Sequence, residues 1–364
     1  MEKRVLGRSG LWVSVMGLGT GTFGAFGDVT EEDCVRLAHC AFDGGVTLVD
    51  TADFYSFGES ESIVGKAVKD RRDRLVIATK VGMPISDDPN EKGGSRRWIT
   101  ASVERSLRRL QTEYIDLYQL HQPDPHTAIE ETIATLGDLV RAGKIRYFGT
   151  SNLTPAQVME AGLTARLRGL TAPHSEQSAF SIFERRPEAE LLPACETLGM
   201  GFLAYSPLEG GWLSGRYRRG AATHTSARQR FRPAHFDVEA EVNRGKLDAV
   251  EALMEIADHA GLTLSQLAIG FVLSHRAVSG ALLGGSNLEQ VQANIAAAGV
   301  RLSDETLDRI DAVAPPGRSL VGGERATPAM VDKALRRRPQ AIDLQTDGRG
   351  EAIRRMFTAG QATN

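Results

Sequence analysis

The 364-residue chain carries 43 Lys and Arg against 46 Asp and Glu, a formal charge of −3, which argues against a nucleic-acid footprint. Hydrophobic residues make up 41% and charged residues 24%, the balance of an ordinary globular protein with a large core. No apolar run reaches the ~18 residues that span a bilayer. The three cysteines, Cys34, Cys40 and Cys195, lack zinc-ligand spacing, and the opening MEKRVLGRSG lacks the apolar core of a signal peptide. We therefore expect a cytoplasmic protein without a metal site, a membrane or a nucleic-acid partner, acting on a small molecule.

Near the N-terminus, KRVLGRSGLWVS reads as a short hairpin turning at Gly7 to Gly10 and plugging the floor beneath the later strands. Strand-length apolar runs then recur at Val13 to Leu18, Val46 to Asp50, Leu75 to Thr79, Ile115 to Leu120, Tyr147 to Thr150, Gly201 to Tyr205 and Ala281 to Leu283. A weaker stretch at Ser175 to Gln177 supplies an eighth. Between the runs lie amphipathic segments with helix signals: Thr30 before EEDCVRLAHCAF, Thr100 before ASVERSLRRL, and Thr154-Pro155. Strand and helix alternate, the pattern of parallel βαβ units, and the predicted fold is α/β, a (β/α)8 TIM barrel. One barrel domain is expected over residues 1–314. A C-terminal extension over 315–364, containing Arg336, Arg337 and Arg338, is expected to pack on or near it. Gly82 to Arg97 and Pro207 to Arg244 are too long for ordinary βα loops and are expected to cover the active site.

Gly19-Thr20-Gly21-Thr22-Phe23-Gly24 satisfies the dinucleotide pattern G-x-G-x-x-G, and Asp50 ends the next strand. In that motif the last glycine packs inside a helix that starts in the motif. Here AFGDV intervenes and the helix signal comes only at Thr30, so we read a Gly-rich first loop that lets a ligand approach the backbone.

Four polar residues stand at or just beyond successive strand ends, where a barrel keeps its catalytic groups. Asp50 ends VTLVD, Lys80 ends LVIATK, His121 ends YIDLYQLH, and Tyr55 lies in the loop after the second strand. A phenol is a poor acid at neutral pH until a neighbouring ammonium stabilises its phenolate. Lys80 supplies that charge, Asp50 holds the ammonium, and His121 orients a substrate oxygen. This is a proton relay suited to a carbonyl group. Nothing in it supplies a hydride, so a cofactor is required.

These residues resemble the aldo-keto reductase family and, within it, the branch that includes the potassium-channel β-subunits. The resemblance runs from Arg4 to Ala314 through GLGTGTFG, DTADFYSFGESESIVGKAV, IATKVG, DLYQLHQPDP, AGKIRYFGTSNL, EQSAFSIFER, GMGFLAYSPLEGGWLSGRY and LLGGSNLEQVQANI. It implies a (β/α)8 barrel that binds NADP(H) and reduces an aldehyde or ketone to an alcohol. Tyr55 is then the proton donor of a tetrad with Asp50, Lys80 and His121. It also implies a cofactor track. Thr20, Gly21 and Asp50 lie at its start, Ser151, Asn152 and Gln177 hold the nicotinamide carboxamide, and Tyr205 stacks on the ring. Ser206, Pro207, Leu208 and Arg216 follow the pyrophosphate, while Gly284, Ser286, Gln290 and Asn294 surround the adenosine half. Gly284 and Ser286 are expected to offer backbone amides where the next helix begins.

Four positions depart from the family pattern, one of them Ala293, which stands where relatives often have an acidic residue near the adenine. Gly284 and Gln290 stand where many members carry Lys and Arg against the 2′-phosphate, which keeps NAD(H) open beside NADP(H). Arg228 or Arg230 is the expected replacement cation, since an Arg fork matches phosphate geometry. Gly21 replaces a bulky residue and widens the pocket. The alternative function is an NADP(H)-binding regulatory or redox-sensing subunit with little turnover, against which His121 speaks, because the channel subunits typically carry Asn there. A monomer or small homo-oligomer is expected.

Overall fold

The computed structural model describes residues 1–220, 229–230 and 232–321. The hairpin forms as β1 (Lys3–Val5) and β2 (Trp12–Ser14), paired antiparallel. Eight strands come after it: β3 (Met16–Gly19), β4 (Leu48–Asp50), β5 (Val76–Val81), β6 (Ile115–Leu120), β7 (Ile145–Ser151), β8 (Ser175–Ala179), β9 (Gly201–Tyr205) and β10 (Val278–Leu283). They close into a parallel barrel in sequence order, with β10 pairing back onto β3. The run from Val13 to Leu18 is thus two strands, not one. Ser14 breaks it, because its hydroxyl donates to Met16 O and accepts from the Thr47 and Leu48 amides instead of leaving the backbone to continue.

The helices packed outside are α1 (Glu31–Asp43), α2 (Glu59–Val68), α3 (Arg96–Leu110), α4 (Ile129–Arg141), α5 (Pro155–Arg168), α6 (Leu191–Leu198), the short α7 (Pro233–Phe236), α8 (Arg244–His259), α9 (Leu264–Ser274), α10 (Leu288–Ala297) and α11 (Asp304–Val313). Their starts follow side-chain chemistry. Thr30 accepts from the Asp33 amide, and Glu31, Glu32 and Asp33 place negative charge at the positive end of α1. Thr154 and Gln157 form a capping box with Pro155 in the first turn of α5. On α1 the buried residues Cys34, Leu37, Ala38 and Ala41 follow the three-four spacing of one helix face. The start of α3 corrects the expectation at Thr100: Ser95 is the cap, accepting from the Trp98 amide, and Thr100 lies inside the helix.

Side chains alternate between the two faces of a strand, and here that alternation builds the interior in storeys. Leu48 and Asp50 share one row, Val76, Ala78 and Lys80 another, Leu117, Gln119 and His121 a third, Leu203 and Tyr205 a fourth. The lower members, with Leu282, form a buried apolar cluster with Leu6 and Val13 of the hairpin. Each such leucine stabilises the fold by ~1.5–3 kcal/mol. The hairpin is locked beneath them by the Arg8 amide donating to Gly199 O at 2.8 Å. At Gly7, with φ of 59°, a Cβ would meet Gly199 O at 2.4 Å, so only glycine fits. The outward rows, including Val49, Ile77, Tyr118, Phe148 and Phe202, pack against the helices in the main core.

Of the extension, residues 315–321 are described. The Arg185 amide donates to Arg318 O and the Leu320 amide to Phe183 O, which ties this stretch to the loop after β8. The expectation for the remainder, including Arg336 to Arg338, lies outside the described residues. Among the described residues no single helix is long and apolar enough to cross a membrane.

Candidate active site

The apolar storeys end abruptly two residues up each row. Above Leu48, Ala78 and Leu117 come Asp50, Lys80 and Gln119, all buried. Lys80 Nζ donates to Asp50 Oδ1 at 2.5 Å, to Thr51 O at 2.9 Å and to Tyr55 Oη at 3.2 Å. Burial works against the Lys80 charge, but Asp50 and then Tyr55 outweigh it and hold the ammonium above the usual lysine range. The phenol oxygen of Tyr55 thus touches a cation that does not shed its proton. The Tyr55 ring meets the His121 ring edge to face at 5.7 Å. Burial, followed by the Lys80 charge, pushes the His121 imidazole well below its ordinary value, so it is neutral. Its Nδ1 is buried without a partner.

A cavity of about 230 Å³ opens onto this group, lined by Gly19, Gly21, Asp50, Tyr55, His121, Ser151, Asn152, Gln177, Tyr205, Ser206, Leu282 and Gly284. It is smaller than a typical drug-sized pocket, so it takes one ring-sized head group and leaves a longer ligand to run outward. Gln177 spends its amide N–H on Asp50 Oδ2 at 2.8 Å and on Gln119 Oε1 at 3.2 Å. Its carbonyl oxygen is then the part suited to accept from a carboxamide. Asn152 and Ser206 adopt left-handed backbone, φ 61° and 55°, a conformation that non-glycine residues take up only where surroundings enforce it. Asn152 Nδ2 donates to His121 O and to Ser151 Oγ, each at 3.0 Å, while Tyr205 Oη donates to Asn152 Oδ1 at 2.7 Å. Polar groups thus fringe an aromatic face, which fits a planar amide-bearing ring.

The four tetrad candidates therefore stand together, as do Gly21, Ser151, Asn152, Gln177, Tyr205, Ser206 and Gly284. Thr20 does not line the cavity: its hydroxyl donates to Asp50 O and bonds to Ser60, tying the strand end to α2. Pro207 is buried and Leu208 and Arg216 are half-buried, and none of the three lines the cavity. Ser286, Gln290 and Asn294 cluster around the end of β10, with Asn294 donating to Gly284 O. The expected free amide at Ser286 needs correction. Asn287 caps α10 by accepting from the Gln290 amide, and the Ser286 amide donates to Gln290 Oε1. Arg230 pairs with Asp28 of the first loop, and Arg228 lies outside the described residues. At Gly21 a Cβ would stand 3.6 Å from the Tyr55 ring, so the glycine leaves the space above the phenol open.

Sequence reasoning missed Gly19, Leu282 and Gln119. Gln119 Nε2 donates to Asp50 Oδ2 at 3.2 Å, and the signal for it was present: a polar residue two before His121 in DLYQLH shares its face.

A closed eight-stranded barrel whose mouth sets a tyrosine on a buried lysine, beside a neutral histidine, is a scaffold for handling a proton. The chain belongs to the aldo/keto reductase family, which it matches over residues 15–315. It is also 36% identical over 326 residues to a probable voltage-gated potassium channel subunit beta of Arabidopsis thaliana, covering 86% of this chain and 96% of that one.

Proposed function

We propose that the protein is an NADP(H)-dependent reductase of an aldehyde or ketone with Tyr55 as proton donor. The observation that carries this reading is the contact of Tyr55 Oη with the Lys80 ammonium at 3.2 Å, beside the neutral His121. NADP(H), when bound, supplies the hydride. Ser151, Asn152 and Gln177 would hold the carboxamide and Tyr205 would cover the ring. Tyr55 gives its proton to the carbonyl oxygen as charge develops there, and Lys80 stabilises the phenolate left behind. Asp50 keeps Lys80 in place, and the neutral imidazole of His121 donates one N–H to the same oxygen. The buried floor keeps bulk water from reaching this exchange from below.

The test is NADPH consumption over a panel of aldehydes, ketones and keto-sugars, with NADH as the rival donor. Tyr55→Phe should cut kcat by about a hundredfold or more while leaving cofactor affinity within about twofold. A variant retaining over a tenth of kcat would remove Tyr55 from its role. The likeness to a channel subunit supports a second reading, a regulatory subunit that binds NADP(H) and turns over little. Slow cofactor release without turnover across the panel would select it.

A further inference from the structure

Glu176 lies on the outward row of β8, fully buried, and takes no part in the chemistry proposed above. Its carboxylate reaches across to the end of β7. Oε2 accepts from Thr150 Oγ1 at 2.6 Å, and Oε1 accepts from Ser178 Oγ at 2.7 Å and from the Leu153 amide at 3.2 Å. Thr150 and Leu153 bracket the two residues that turn inward to the cavity, Ser151 and Asn152. At Asn152 the backbone is left-handed, a conformation that costs a non-glycine residue ~1–3 kcal/mol unless its flanks are held. One carboxylate on the helix side of the barrel ties down both flanks. Around it the buried faces of α5 (Val158, Ala161, Gly162, Ala165) and α6 (Leu191, Leu192, Ala194, Cys195) are otherwise apolar. A packing position there would take an apolar side chain, because burying a carboxylate is costly unless its bonds do something.

We propose that Glu176 is a positioning residue that holds the Ser151–Asn152 turn in the shape that receives the carboxamide end of the cofactor. This rests on the reading that the cavity takes NADP(H). Burial pushes the Glu176 carboxyl up to about 7, the hydrogen bonds only partly offsetting it. The titratable group facing it from a packed helix is Cys195, whose thiol is pushed far up by burial and then by Glu176, and so stays neutral. Ionised, the carboxylate accepts charge-assisted bonds from both flanks. Protonated, Oε2 becomes a donor, Thr150 Oγ1 turns its proton to Ser175 O at 3.4 Å, and the charge assistance is lost.

Two variants and two readouts test this. In Glu176→Gln, NADPH binding followed by fluorescence quenching should weaken about threefold at pH 8, the loss of one charge-assisted bond, and match the parent at pH 6. Glu176→Leu should bind about tenfold more weakly at both pH values, with no acceptor left for either flank. Hydrogen exchange on the cofactor-free protein should quicken at residues 151–154 in Glu176→Leu. Should that variant fail to fold, the pH curve of Glu176→Gln decides. Parallel pH curves for the parent and Glu176→Gln, or binding within twofold in Glu176→Leu, would overturn the proposal. A parent that binds neither NADPH nor NADH would sink the cofactor reading instead, and unchanged exchange at 151–154 would then dispose of the positioning role separately.

Discussion

The two ends of the barrel are built from the same rows of side chains and have opposite characters. At the floor, Leu6, Val13, Leu48, Val76, Leu117 and Leu203 are buried in relaxed, apolar contact. At the mouth, two to four residues further up, Asp50, Lys80, Gln119 and Gln177 share a buried network. Among the described residues, five of the six non-glycine residues with left-handed backbone, Ser56, Phe57, Asn152, Ser206 and Glu209, come after strand ends there. The floor holds the strands together, and the mouth draws on that stability to keep charged groups dehydrated and turns strained.

The division can be broken most severely at Lys80, the buried charge of the mouth that stands directly above Val76 and Ala78 of the floor. Lys80→Met should abolish turnover and cost about 3–5 kcal/mol in urea unfolding, because Asp50 is left buried and unpaired. A loss confined to turnover would show that Asp50 is hydrated when alone. Leu203→Ala at the floor should cost about 2–5 kcal/mol of stability with kcat/KM within a factor of two. A comparable loss of activity would mean that the floor shapes the mouth directly.

A finer separation comes from Asp53, two residues before Tyr55 but turned outward, its Oδ2 accepting from Ser102 at 2.9 Å. Burial, followed by the charge of Glu61, pushes its carboxyl up to about 8. A pKa raised on folding gives stability that is fully present below the unfolded value near 3.8 and lost as pH rises through the folded one. Unfolding free energy should therefore fall from pH 4 to 8 by at most about 1.4 kcal/mol per pH unit more than in Asp53→Asn. Coincident pH profiles would show that Asp53 is ionised throughout. The smallest effect is expected at Gly21→Ala. Its methyl makes ordinary contact with the Tyr55 ring, so the melting temperature should hold within about 2 °C while KM rises for the bulkiest carbonyl substrates. Equal KM across substrate sizes would remove Gly21 from the pocket wall.

The rows that make this contrast were legible in the sequence, because a period of two is visible wherever an apolar run ends in a charge. VTLVD, LVIATK and YIDLYQLH announced Asp50, Lys80 and His121. Gln119 escaped notice because it sits inside such a run rather than at its end. The start of α3 escaped because Ser95 follows two glycines that read as loop, so the later Thr100 looked like the cap. Ser286 was misjudged for a different reason: which of two successive polar residues, Ser286 or Asn287, caps a helix depends on backbone angles, and at Asn287 these are extended, φ −152° and ψ 166°. Glu176 carried no signal, since Thr150 and Leu153, the partners that explain it, lie on and just beyond the neighbouring strand.

The hairpin and the packed storeys above it give the barrel a floor, so a guest of the cavity comes and goes through the mouth. The residues around Gly7 do not line the cavity, yet by closing the floor they leave a guest the opposite side of the barrel to use.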